Sequence, residues 1–296
     1  MKSILSCALC GSRKITSVYN GAIRSGSWGN VTSSRYQVFT CSHCGVSFLN
    51  PFPIINYAEK SYRLDYNGSA GIKTYNRLHD KEQSWYLDLL KNLDLSGKTV
   101  CDIGCGGGSF LKYINGLAGR TIAIEPFIGY HRTLRSGGHS VFSGIDALMA
   151  VEGKSQIDLT TSFHVIEHVV EPVAFLKSIR EVLKPGGKLI LATPNADDIL
   201  MKMGFGPYQK FNYRTAHPWY FNQRSLGYIA RKAGFKKARF GFRQNFDISN
   251  FALWLRDGRP TGNSGTNLFD KEINQAWKLY LEKNGMADTI IVFLTK

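Results

Sequence analysis

Apolar positions fall in short runs separated by amphipathic stretches, and from Lys98 onward the alternation is regular. KTVCDIG, TIAIEP, HSVFSG, IDLTTSF and KLILATPN each read as a short strand, bounded by Gly, Pro or a polar residue. Between them SFLKYINGLA, HRTLRSGG and EPVAFLKSIREVLKPGG read as helices, the last with Pro172 in its first turn and glycines to stop it. Strand alternating with helix predicts an α/β fold built on a parallel sheet. Further on, QRSLGYIARKAGF and FDKEINQAWKLYLEKNG read as helices, with KKARFGFRQ and DTIIVFLTK as the last two of seven strands. Residues 199–222 carry Gly204, Gly206, Pro207 and Pro218 among aromatics and read as an irregular insertion.

The first third follows another pattern. KITSVYNG and SSRYQVFT alternate around a Gly/Ser-rich centre and predict a small β ribbon. LNPFPIINY then breaks the chain with two prolines, and Tyr57 to Leu93 reads as helical, basic and rich in tyrosine. Most of these tyrosines, Tyr57, Tyr62, Tyr66, Tyr75 and Tyr86, read as packing onto the next domain, with one or two, Tyr66 first, expected to cap a ligand pocket. The expected division is a ribbon over 1–50, a helical aromatic linker or lid over 51–95, and an α/β core over 96–296.

At 296 residues, 43% hydrophobic and 20% charged, the chain reads as an ordinary globular protein. No run approaches the roughly 18 apolar residues of a membrane span, and MKSILSCALC is too soon interrupted for a signal peptide, so the cytoplasm is the expected compartment. The net charge of +15 is unevenly placed: residues 1–81 hold ten basic against three acidic residues, and 201–260 hold twelve against two. Such flanks suit nucleic acid, an anionic small molecule or an anionic surface, or are simply solvated. Oligomeric state stays open.

The six cysteines pair as Cys7/Cys10, Cys41/Cys44 and Cys101/Cys105. C-A-L-C-G and C-S-H-C-G are knuckles in which Gly permits the turn that aims backbone N–H groups at thiolates. Two knuckles make a closed four-cysteine zinc site, structural and not catalytic. His43, inside the second knuckle, reads as a bystander.

DIGCGGGSF places Asp102 at a strand end and Gly104, Gly106 and Gly108 in the turn. Ser109 stands where a dinucleotide fingerprint needs its third Gly, and D-x-G-x-G-x-G suits S-adenosylmethionine better, which has no pyrophosphate. Glu125 ends the second strand, placed to accept from ribose hydroxyls. Asp146 follows the third strand, either to accept from an adenine amino group or to cap the helix after it.

DIGCGGGSFL, the Glu-terminated second strand, FHVIEHVVEPVAFLKSIREVLKPGGKLILATPN and HPWYFNQRSLGYIARKAGF together resemble class I S-adenosylmethionine-dependent methyltransferases, over about half the chain. The resemblance implies a Rossmann-like seven-stranded sheet with its last strand antiparallel. It also implies a cofactor site formed by Asp102, the loop glycines, Glu125, Pro126, Asp146, Ala147, Phe163 and His164. With a zinc ribbon ahead of the core, the chain is similar to methyltransferases of deoxysugar and surface-polysaccharide biosynthesis, and to a set of ribosomal-RNA base methyltransferases.

HVIEHVVEP contains H-x-x-E-H, the spacing of an inverted zinc-peptidase helix. A strand ends at Phe163 and Pro172 opens the next helix, so the segment reads as a loop, which excludes the peptidase. The resemblance puts this loop under the cofactor's sulfonium, with Glu167 and His168 facing the acceptor. His168 is the expected general base, and His217 a second candidate. By resemblance to ubiquinone-pathway O-methyltransferases, His164, Glu167 and His168 could instead hold a second divalent ion, although imidazole suits a hard cation poorly. Tyr213, Arg214 and Tyr220 are expected to shape the acceptor pocket, Arg214 holding a phosphate with Lys210. The acceptor is expected to be an anionic nucleotide sugar or glycan intermediate methylated at oxygen. RNA is the alternative, and a non-catalytic cofactor-binding scaffold the third reading.

Overall fold

The computed structural model describes residues 6–26, 30–53, 55–59, 77, 83–260 and 268–296. Tyr66 and most of the 57–93 stretch lie outside the described residues. What is described of that stretch includes a helical turn at 83–85 running into a 3-10 turn, Tyr86–Leu89.

β1 (Ile15–Gly21), β2 (Tyr36–Cys41) and β3 (Ser47–Asn50) form an antiparallel sheet. The core follows with β4 (Thr99–Ile103), α1 (Ser109–Ile114), β5 (Arg120–Ile124), α2 (His131–Ser136), β6 (Ser140–Phe142), α3 (Ile145–Glu152), β7 (Ile157–Phe163), α4 (Pro172–Val182) and β8 (Leu183–Pro194). The insertion holds α5 (Ile199–Lys202), α6 (Gly206–Asn212) and β9 (Trp219–Tyr220). Then come α7 (Gln223–Lys232), β10 (Lys237–Arg243), α8 (Ile248–Asp257), α9 (Lys271–Lys283) and β11 (Thr289–Thr295). The large sheet has seven strands in the order β10-β11-β8-β7-β4-β5-β6. β4 to β8 run parallel, while β11 is antiparallel to both of its neighbours. Strand order reverses at β4, whose neighbours are β5 and β7. Beyond the carboxyl ends of those strands lies the crevice where sheets of this kind bind ligands.

The seven predicted strands are present, because runs such as that in Arg120–Ile124 (RTIAI) are apolar enough to be buried on both faces. Two local expectations change. α4 stops at Val182 instead of continuing to the Gly pair, and LKPGG opens β8. Gly187 sits so close to β7 that an added Cβ would stand 3.0 Å from the Ile157 carbonyl oxygen, so this glycine serves strand packing. The insertion is also more regular than expected. Asp198 caps α5, its side chain accepting from Leu200 and Met201 N–H, and Pro207 starts α6.

β9 leaves the core to pair with β3, Ser47 opposite Tyr220 and Phe48 opposite Trp219. Leu49 N–H donates to the Pro218 carbonyl, Arg24 N–H to Tyr213 and Thr215 N–H to Arg24. Ile23, Val38 and Leu49 of the ribbon share a buried cluster with Tyr213 and Tyr220 of the insertion. The ribbon and the insertion are therefore one sheet and one core. Two-residue strands have no periodicity to read, which is why the pattern of the sequence gives no sign of β9.

Candidate active site

The four knuckle cysteines converge. Cys7 Sγ lies 3.8 Å from Cys44 Sγ and Cys10 Sγ 3.6 Å from Cys41 Sγ, and all four sulfurs fall within 4.8 Å of one another. These gaps far exceed a disulfide bond. They match the roughly 3.8 Å between sulfurs held about 2.3 Å from a tetrahedral zinc. The Cys44 side chain beside it lowers Cys7 to about 5, despite burial, while Cys7 in turn raises Cys44. His43 stays outside: its carbonyl accepts from Arg224 and its ring packs edge-on against Tyr228.

A cavity of about 1040 Å³ opens over β4, β5 and β7. Asp102, Gly104, Glu125, Pro126, Asp146, Phe163 and His164 line it, whereas Gly106, Gly108 and Ala147 do not. Gly104 and Gly108 have φ of +73° and +82°, and a Cβ on either would meet Val165 at 2.4 Å or Leu134 at 2.7 Å. The turn therefore needs glycine for its own packing. Glu125 is fully buried, its two carboxylate oxygens accepting from Gly106 N–H and Phe127 N–H at 2.9 Å each, and so it ties the glycine loop to the end of β5. Burial pushes Asp102 up to about 7, against the lowering effect of a 2.7 Å hydrogen bond from the Thr161 hydroxyl. Asp146 is exposed in the first turn of α3, whose N-cap is Gly144, so the capping role does not hold.

The H-V-I-E-H segment is a loop with one 3-10 turn, Ile166–His168, between β7 and α4. His164 takes φ +56°, a left-handed conformation costing on the order of 1 kcal/mol in a non-glycine residue, while its N–H donates to Ala192 at 2.8 Å. Its Nε2 meets the Tyr86 hydroxyl at 2.8 Å, and Tyr86 stacks flat on Phe163 with ring centres 3.9 Å apart. Glu167 is 1% exposed and does not line the cavity, so the expectation that it faces an acceptor is corrected. Its Oε2 accepts from Thr193 at 2.9 Å. Its buried Oε1 accepts no hydrogen bond and lies 3.5 Å from His164 Nδ1. Burial would raise its pKa, but the neighbouring His164 ring and the His168 charge outweigh it and the net shift is downward.

His168 does line the cavity. Its Nδ1–H donates to the Ala216 carbonyl at 2.7 Å, and the Tyr57 hydroxyl stands 3.0 Å from both Nδ1 and that carbonyl. Nε2 is thereby the acceptor end of the ring. Burial lowers His168 to about 4, with Glu167 opposing, so the ring is neutral near pH 7. Tyr57 and Tyr86 are linker tyrosines that the described residues bring to the site.

In the insertion, Arg214 Nε donates to His217 Nε2 at 2.8 Å, and Nη2 contacts the same atom. Burial and then the Arg214 charge hold His217 well below the usual histidine range. With its Nε2 lone pair facing a guanidinium, His217 is not placed to take an acceptor's proton. Tyr220 is buried, its hydroxyl accepting from Arg214 N–H at 2.8 Å, and Tyr213 is a core residue; neither contacts the cavity. Lys210 is exposed on α6 and does not line the cavity, so the expected Arg214–Lys210 pair is not formed there. Arg24 of the ribbon instead lies nearby, lowered to about 10 by burial and then by Arg214.

Residues 77–239 match the family model described as "Methyltransferase domain", more than half of the chain. The chain belongs to this methyltransferase family. Among curated relatives, the ubiquinone biosynthesis O-methyltransferase of Xanthomonas euvesicatoria pv. vesicatoria is 33% identical over 111 residues, 35% of this chain and 46% of that protein. That of Cereibacter sphaeroides is 28% identical over 158 residues, 50% and 64% respectively. The chain thus spans about half the length of the first curated relatives it matches. A solved Haloferax volcanii complex of the Trm112 methyltransferase activator with a methyltransferase has a chain of similar fold. Its TM-score is 0.54 at 16% identity, covering 75% of this chain and 93% of that one. Haemonchus contortus phosphoethanolamine N-methyltransferase 2, with phosphomonomethylethanolamine and S-adenosylhomocysteine, gives 0.51 at 14%, covering 91% and 70%.

The methyltransferase cavity fits S-adenosylmethionine by its own chemistry. It is roomy enough for a nucleoside and an amino acid, with carboxylates at the ends of β4 and β5, an exposed carboxylate at Asp146 and the Phe163 ring in its lining. Sequence reasoning named Tyr57 and Tyr86 among the linker tyrosines without giving either its partner, and missed Thr193.

Among the described residues no helix is long and apolar enough to cross a membrane.

Proposed function

We propose that this protein transfers the methyl group of S-adenosylmethionine to a hydroxyl of a small-molecule acceptor, with His168 as general base. When bound, the cofactor supplies an electrophilic methyl on a sulfonium. Asp102 and Asp146 would hold it by its polar ends, Glu125 would fix the glycine loop against it from behind, and Phe163 would wall it. The observation that carries the base assignment is the Nδ1–H bond of His168 to Ala216, which turns Nε2 into the proton acceptor at the cavity wall. The ring is neutral near pH 7, so its Nε2 is unprotonated there, and burial makes it a weaker base than an ordinary histidine. His164, Tyr86 and Glu167 fix the loop that presents it.

The names of the curated relatives support small-molecule O-methylation. Within that class, the sequence resemblance favours a nucleotide sugar or surface-glycan intermediate. The ribbon supports a small acceptor over RNA, since the edge of β3 is spent on β9 and the ribbon builds the acceptor-side insertion. One structural zinc held by Cys7, Cys10, Cys41 and Cys44 completes the reading. A second metal is disfavoured: Glu167, His168 and His217 cluster, but the Nε2 of His217 already accepts from Arg214.

Isothermal titration with S-adenosylhomocysteine, followed by methyl-labelled cofactor offered with nucleotide sugars or total RNA, tests the proposal. Label in a small anionic product, abolished by His168→Ala with S-adenosylhomocysteine affinity retained, is the expected result. Label in RNA, or unchanged turnover in His168→Ala, overturns it.

A further inference from the structure

Cations withdrawn from solvent are ordinarily paired with a carboxylate. Arg214, half-buried, is not. It lines the cavity, yet among the described residues no carboxylate lies within ion-pair distance of its guanidinium, and its side chain is steered by His217, an imidazole 3% exposed. A neutral acceptor orients a guanidinium without cancelling its charge. The backbone is fixed as well: Arg214 N–H donates to the Tyr220 hydroxyl, that hydroxyl approaches the Arg214 carbonyl at 3.3 Å, and His217 N–H closes the turn onto the same carbonyl at 3.0 Å. Glu167 stands 4.0 Å from His217 Nε2 and is sealed behind the wall, so it cannot contact an acceptor.

We infer that Arg214, aimed by His217, is the subsite for an anionic group of the methyl acceptor, a phosphate or carboxylate. A guanidinium has five N–H donors, and with Nε and one Nη directed at His217, those that remain suit two oxygens of one anion. The His168 and His217 rings meet edge-on with centres 4.6 Å apart, so the anion subsite and the proton acceptor are separated by about the width of one imidazole. The acceptor therefore bears its reacting hydroxyl and its anionic group close together on one face. His217 is a positioning residue here and Arg214 the binding residue. This rests on the methyltransferase reading of the cavity.

The test uses the full-length protein saturated with S-adenosylhomocysteine, titrated separately with inorganic phosphate and with acetate while the Arg214 Nε–H and His217 ring signals are followed by NMR. Saturable shifts are expected with at least one anion, and the tighter of the two names the group. Arg214→Met should weaken binding at least tenfold. His217→Phe, which keeps a ring but removes the acceptor, should weaken it several-fold, and His217→Gln, whose carbonyl can accept from the guanidinium, should restore most of it. S-adenosylhomocysteine affinity should hold in all three variants and serves as the check on folding. Equal anion affinity in wild type and Arg214→Met, or no saturable binding of either anion to the wild type, overturns the inference. Failure of S-adenosylhomocysteine to bind would instead sink the functional reading, and the anion titration on ligand-free protein would still decide the subsite.

Discussion

Thr193→Val tests the account of the buried carboxylate beneath the H-V-I-E-H loop. Val is nearly the shape of Thr, so the change removes one hydroxyl and little packing. Thr193 and Glu167 are 0% and 1% exposed, and the 2.9 Å bond from Thr193 is the hydroxyl donor to Oε2, while Oε1 accepts no hydrogen bond. Losing a hydrogen bond to a buried ionised group costs about 2 kcal/mol, since no water can replace it. The cost depends on ionisation. The folded pKa of Glu167 is depressed below its ordinary value of 4.5, so its stabilising contribution is complete above pH 4.5 and is lost as pH falls through the folded value. Urea unfolding followed by tryptophan fluorescence should show a loss of about 2 kcal/mol at pH 7 that shrinks steadily below pH 4.5. An equal loss at both pH values, or none at pH 7, would refute the idea that an ionised Glu167 organises this loop.

Cys10→Ser should reduce bound zinc, measured by elemental analysis, from about one per chain toward none. Because β3 pairs with β9, the same variant should expose the insertion around Arg214 to hydrogen exchange while leaving S-adenosylhomocysteine affinity within about threefold; protection unchanged at β9 would break the link. Gly104→Ala should cost about 2–3 kcal/mol and weaken S-adenosylhomocysteine binding, since its Cβ would stand 2.4 Å from Val165 at φ +73°. Burial holds His168 at about 4 and lowers His139 and His217, so the unfolded chain binds more protons below its histidine value of 6.5. Stability should therefore be full above pH 6.5 and decline toward pH 4, and a flat thermal profile across that window would contradict the burial of these rings.

The sequence by itself determined what is local. Strand and helix periods set the seven-stranded order of elements, the glycine turn marked the cofactor edge, and two C-x-x-C-G knuckles marked the cysteine cluster, because each signal lies within a dozen residues of chain. Pro172 and the strand ending at Phe163 were enough to dismiss a peptidase helix at H-V-I-E-H. Only the tertiary structure decided which side chains meet. Tyr57 reaches His168 across 111 positions, Thr193 finds Glu167 under the sheet edge, and His217 turns from candidate base to guanidinium acceptor because Arg214 lies against it. The strand that welds ribbon to insertion is two residues long. Such partnerships depend on where sheet edges bring distant loops together, and a linear pattern of apolar and polar residues carries no record of that distance.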